Sequence, residues 1–115
     1  ITNMEKKNTY FCDIDGTILK YRKFETYESS KAEGIKSTIE YLDKASVEGH
    51  MIILTTARPE YLRMHTEVEL YENEVPYHRL IMGIERGPRY LINDIDPNNP
   101  GERAIAINVE RNKGI

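Results

Sequence analysis

The chain has 115 residues, 39% of them hydrophobic, enough for one modest core and too few for two independent domains. Sixteen Lys and Arg against 19 Asp and Glu leave a formal charge of -3, which offers no basic field to hold a nucleic acid. Cys12 is the one cysteine, so no internal disulfide forms, and no apolar run approaches the roughly 18 residues of a membrane span.

A single domain, soluble and cytoplasmic, with neither a nucleic-acid nor a membrane partner, is the expectation. Its polar lead, residues 1–8, has no apolar signal region. Thr9 to Asp13 is a short run ended by Gly16, as suits a buried strand running into a turn, and Cys12 within it reads as a small hydrophobe. Ser30-Lys31-Ala32-Glu33 has the form of a capping box. Ile35, Ile39, Leu42 and Ala45 follow at helical spacing until Gly49, predicting a helix of about four turns.

Met51 to Thr55 is β-branched and apolar, a second buried strand. Pro59 and Glu60 suit the first turn of a second helix, with Tyr61, Met64, Val68 and Tyr71 as its inner face, and that helix should stop before Pro76. Arg79 to Met82, Tyr90 to Asn93 and Ala104 to Val109 read as three more strands. The alternation predicts an α/β, Rossmann-like three-layer sandwich with a mainly parallel sheet, whose ligands gather at the carboxyl ends of the strands. Asp13, Asp15, Thr55, Thr56 and Asp94 all fall at such ends.

Two neighbouring carboxylates either share a cation or divide into one charged and one protonated member. The charged one can attack phosphorus and the protonated one can release its proton to the leaving alkoxide. Because a carboxylate approaching a phosphate dianion meets like charge, a hard cation with oxygen ligands is the usual remedy; Asp94 can supply a third corner, and Asp96 lies near enough in sequence to hold a metal-bound water. Thr55 and Thr56 offer hydroxyls for phosphate oxygens where a strand leads into a helix. His50, His65 and His78, separated by 15 and 13 residues, do not have metal-ligand spacing, and Arg58 reads as a solvated charge at a helix entry.

The segment from Tyr10 to Ile18, containing Asp13-Ile14-Asp15-Gly16-Thr17, resembles the first motif of the haloacid dehalogenase-like hydrolases. Ile52 to Arg58 resembles their second motif and Leu91-Ile92-Asn93-Asp94 their fourth. The resemblance implies a capless phosphatase in which Asp13 is the nucleophile and a magnesium ligand. Asp15 would be the acid and base and a second ligand, and Asp94 a third. Thr56, with Thr55 and Gly16, would bind the phosphoryl group of a small phosphorylated substrate, a sugar phosphate being one candidate class.

Two departures from the family pattern stand out. Asn93 replaces a common acid, and no lysine occurs from Val47 through Asn112 to fill the third motif. Arg86 is the expected substitute, with Arg79 and Arg89 behind it, since a guanidinium can fork between phosphate and nucleophile. These departures keep a second reading open, a degenerate domain that binds phosphate or a protein without turnover. Only 17 residues separate Thr17 from Ile35, too few for a cap, so residues 18–29 are expected to form a flap at most, with Tyr21, Phe24 and Tyr27 over the site. A neighbouring subunit in a homo-oligomer could cover what a cap does not.

Overall fold

The first strand forms where expected. In the computed structural model, which describes residues 7–115, β1 spans Thr9–Asp13, β2 Met51–Thr55 and β3 Arg79–Ile81. All of the polar lead except residues 7 and 8 lies outside the described residues. The three strands lie in the order β1-β2-β3 and both pairings are parallel. Asp13, Thr55 and Ile81 share one row at the carboxyl edge, because Asp13 pairs with Thr55 and Thr55 with Ile81.

Helix α1, Lys36–Val47, buries Thr38, Leu42 and Ala45 and packs on β2, while Tyr10 of β1 meets its Tyr41 edge-on at 5.9 Å between ring centres. Gly49 closes it in the left-handed region, at φ 93°, where a Cβ would be strained. The anticipated capping box does not cap: Ile35 stands at the N-cap, and its N–H goes to the Ile18 carbonyl. Ser30 Oγ instead donates to the Thr26 carbonyl (2.6 Å), and Glu33 pairs with Lys20 at 3.0 Å. Backbone pairing decides this. Lys20 N–H bonds the Glu33 carbonyl and Leu19 bridges to Gly34, so the chain stays extended until it has passed Gly34.

Pro59 caps a single 3-10 turn, Glu60–Leu62, which runs into helix α2, Arg63–Glu72. The anticipated inner face is reversed. Tyr61, Met64, Val68 and Tyr71 are between 49 and 84% exposed, while Leu62, Thr66, Glu69 and Leu70 are buried. The core itself is formed by Ile14, Ile18, Leu19, Leu42, Ile52, Leu54 and Leu70, each at most 2% exposed. Full burial of such a side chain stabilises by about 1.5–3 kcal/mol.

Regular structure ends at β3. Neither 90–93 nor 104–109, both anticipated as strands, pairs with anything among the described residues. A strand is stable only against a neighbour that satisfies its N–H and C=O groups, and these segments lie beside none. The chain measures 52 × 29 × 25 Å with a radius of gyration of 15.4 Å, against about 13 Å for a compact domain of this length. No cap is inserted, and no helix among the described residues is long and apolar enough to cross a membrane.

Candidate active site

Where β1 ends, the backbone turns sharply. The N–H groups of Thr17, Ile18 and Leu19 all converge on the Ile14 carbonyl, and Gly16 N–H donates to the Leu19 carbonyl at 2.7 Å. Gly16 sits at φ 90°, and a Cβ there would press on Arg111 Cγ at 3.2 Å, which is why glycine belongs directly after the second aspartate. The turn leaves the Asp13 carboxylate at the edge of the sheet, its side chain 39% exposed.

Both oxygens of Asp13 have donors: Thr17 Oγ1 to Oδ2 at 3.1 Å and Arg89 Nη2 to Oδ1 at 3.3 Å. Burial raises the Asp13 pKa above its usual value, Arg89 and Thr17 pull it back, and Asp15 adds to the rise. Burial, and then the charge of Asp13, push the neighbouring Cys12 thiol up to about 12, so this cysteine stays protonated and unreactive, as its apolar setting suggests.

Asp15 is held differently. Arg58 grips it with two bonds, Nε to Oδ2 at 3.0 Å and Nη2 to Oδ1 at 2.8 Å, and the same guanidinium bonds Thr66 Oγ1 (3.0 Å) and Glu69 Oε1 (2.9 Å). Arg22 Nη2 then takes both oxygens of Glu69 at 2.8 Å. Tyr27 lies over this chain of charges, its ring 4.3 Å from the Arg58 guanidinium and 5.0 Å from that of Arg22. Burial disfavours the Arg58 charge, yet its bonds to Asp15 and Glu69 outweigh that cost and raise its pKa further. Sequence reasoning missed Arg58 by taking it for a solvated charge: its side chain is 1% exposed. The signal available was polar residues at helical spacing, Thr66 and Glu69, which face Arg58 from α2 in place of an apolar stripe.

Thr56 is buried, and its Oγ1 accepts from the Arg58 N–H at 3.1 Å while its backbone ties to Ile81 and Ile84. Its hydroxyl retains its proton to donate. Thr55 is half-buried, one strand over from Asp13. Arg86 is exposed and bonds to none of these groups. The chain after β3 is held by Gly83 N–H on the Arg58 carbonyl and Ile84 N–H on the Thr56 carbonyl, and it is Arg89, not Arg86, that it then delivers to the carboxylate. Two of the three histidines serve the backbone, His50 and His78 each accepting an N–H through Nδ1, while His65 Nε2 lies 3.0 Å from Glu69 Oε2.

Asp94 is exposed and apart from the pair, and Asp96 accepts from the Asn98 N–H in a local turn. No group of three or more His, Cys, Asp or Glu residues that could hold a metal occurs among the described residues. A hard divalent cation takes six or more oxygens. Here one carboxylate, Asp13, has both oxygens hydrogen-bonded, and the other, Asp15, is locked to Arg58. The described residues of one copy therefore do not make a magnesium site.

Comparison with known proteins places these features. A family model described as haloacid dehalogenase-like hydrolase matches residues 10–77, which include Asp13, Asp15, Thr56 and Arg58 and stop short of Arg89 and Asp94. No curated protein matches. Among solved structures, a chain of the Pnkp1/Rnl/Hen1 complex is 25% identical at a TM-score of 0.58, over 73% of this chain and 30% of that one. A structural-genomics target from Vibrio cholerae superimposes at a TM-score of 0.55 with 16% identity, over 79% of this chain and 85% of that one. This chain thus spans under a third of the first and most of the second, whose likeness is one of fold.

Proposed function

The chain belongs to the haloacid dehalogenase-like hydrolases, and from that premise we propose that it is a cytoplasmic, magnesium-dependent phosphatase acting on a small phosphomonoester, a sugar phosphate being the favoured class, through an aspartyl phosphate on Asp13. One observation carries the reading: Asp13 stands half-open at the carboxyl end of β1, two residues from a second carboxylate and fixed by Thr17 and Arg89.

In this reading an Asp13 oxygen attacks phosphorus, the ester P–O bond breaks as the Asp13–phosphorus bond forms, and Asp15 supplies the proton that the departing alkoxide takes up. Water then attacks the aspartyl phosphate with Asp15 as base, releasing inorganic phosphate and restoring the carboxylate. Arg89 and the Thr56 hydroxyl donate to the phosphoryl oxygens as charge moves onto them. Asp15 has to give up one of its two bonds to Arg58 before it carries a proton, so the described arrangement is a resting one and Arg58 is a positioning residue.

That same grip favours a second reading, in which the domain binds phosphate or a protein partner without turnover. Incubation with p-nitrophenyl phosphate and a panel of sugar phosphates, with and without magnesium, separates the two. Magnesium-dependent phosphate release that vanishes in Asp13→Asn supports the phosphatase, and release unchanged in that variant overturns Asp13 as nucleophile. Phosphate binding with no release from any substrate supports the second reading.

A further inference from the structure

Helix α2 and the 3-10 turn before it are amphipathic the opposite way round from an ordinary surface helix. The inner face is polar because Thr66 and Glu69 turn toward Arg58, and four large apolar side chains, Tyr61, Met64, Val68 and Tyr71, face water at 77, 78, 49 and 84% exposure. Their intervals of three, four and three residues are those of the a and d positions in two heptads, the seam that one helix offers to another. A continuous apolar strip of this kind marks an interaction surface, as scattered apolar residues do not.

Acid borders the strip. Glu60, Glu67 and Glu74 recur every seven residues along one side and Glu72 lies on the other, all of them exposed. The cations on this stretch are Arg63, which bonds Glu60 and pairs with Glu67, and His65, which sits against Glu69. Each end of the strip opens into a hollow of the same character. At the start, Phe24, Tyr27 and Tyr61 wall a cavity of about 120 Å³ that Glu25 and Glu28 also line. At the far end Tyr71 and Val75 form a second with Glu72 and Glu74. Aromatic and apolar walls beside carboxylates suit the end of a lysine or arginine side chain, whose stem packs on the wall while its charge meets ring and acid. Ten residues separate Tyr61 from Tyr71, roughly 15 Å of helix, so one partner helix reaches both hollows.

Charge decides between occupants. In an antiparallel pair of copies the edges carrying Glu60, Glu67 and Glu74 would meet, and in a parallel pair Glu67 would meet Glu72, so a second copy is opposed by like charge in both orientations. A nucleic acid or an anionic lipid surface is repelled for the same reason. We propose that the outer face of α2 docks an amphipathic helix of a partner protein, one with its apolar seam over Met64 and Val68 and with lysine or arginine along its edges and in the two end hollows. This docking does not depend on the chemistry of Asp13.

Fluorescence anisotropy on the full chain tests it, with a labelled synthetic peptide of about three heptads that carries leucine at a and d and lysine at e and g. The lysine peptide is expected to bind, and to bind at least about tenfold more weakly when its e and g positions are glutamate or when the same residues are scrambled. Met64→Asp and Glu67→Lys are each expected to weaken binding by a similar factor. Val47→Asp, a matched charge change on α1 at a side chain 81% exposed, is expected to leave it unchanged. Absence of binding, equal binding of the ordered and scrambled peptides, or equal binding by the wild type and Met64→Asp overturns the docking. Sedimentation showing that the wild type pairs with itself and Met64→Asp does not would make a second copy the occupant, and overturns it equally.

Discussion

Residues 7–83 and residues 84–115 obey different rules. In the first stretch the strand runs find partners within the chain: Ile52 and Leu54 of β2 are fully buried, α1 packs on that strand, and even Glu69 of α2 is buried and paired. In the second, runs with the same β-branched composition stay exposed, Ile92 at 90% and Ile105 at 66%. Composition is therefore not what separates core from surface here. The difference is the availability of a neighbouring edge, and a sequence pattern that predicts a strand carries no information about whose edge that will be.

The contrast can be broken or sharpened by measurement. The largest effect is expected at Asp13→Asn, which keeps the fold and lowers phosphate release by at least about a thousandfold, read as kcat with the thermal midpoint unchanged. Loss of folding in that variant would show that Asp13 belongs to the body's stability and not to its chemistry. Next comes Glu69→Leu. Removing the buried carboxylate leaves Arg22 without its anion and Arg58 with Asp15 alone, at a cost of about 3–5 kcal/mol in urea unfolding, and a change below about 1 kcal/mol would mean that water already screens the network.

Ile52→Ala and Ile92→Ala make the same kind of truncation on the two sides of the contrast. The first is expected to lower stability by about 2–5 kcal/mol at any protein concentration. The second is expected to leave stability almost unchanged, because the Ile92 side chain is already 90% exposed, read by urea unfolding under the same conditions. Equal losses from both would place Ile92 inside the core.

The smallest effect concerns pH. Folding raises the Cys12 thiol from 9.0 and the Tyr27 hydroxyl from 10.0, each to about 12, chiefly through burial. Below pH 9 both groups keep their protons whether or not the chain is folded, so their contribution is fully present. As pH rises from 9 toward 12 the unfolded chain loses those protons first and stability falls. The urea midpoint should therefore be lower at pH 10.5 than at pH 8, and Cys12→Ala should flatten part of that decline. Iodoacetamide should label Cys12 at pH 8.5 only after unfolding.

Much of the body was legible in the residues themselves. The runs that became β1, β2 and β3 are short, apolar and bounded by turn formers, and in Asp13-Ile14-Asp15-Gly16-Thr17 the glycine directly after the two carboxylates marked the turn that ends the strand. What failed did so for physical reasons. Spacing alone placed Tyr61 and Met64 inside, but Arg58 draws Thr66 and Glu69 inward, and satisfying a buried guanidinium outweighs burying a tyrosine. Ser30 matched a cap pattern, yet the Leu19 bridge to Gly34 delays the helix. Arg86 and Arg89 are three residues apart, and only the path of the chain after β3 distinguishes them.

The row Asp15, Arg58, Glu69, Arg22 contains two charges of each sign and is neutral as a whole. Neutrality of that kind belongs to the set and to none of its members. Loss of Glu69 alone would leave the interior with one positive charge in excess, and loss of Arg22 with it would restore the balance, although the two lie 47 positions apart in the chain. Arg22, just after the turn, and Glu69 of the second helix thereby answer to one another in charge as well as in space.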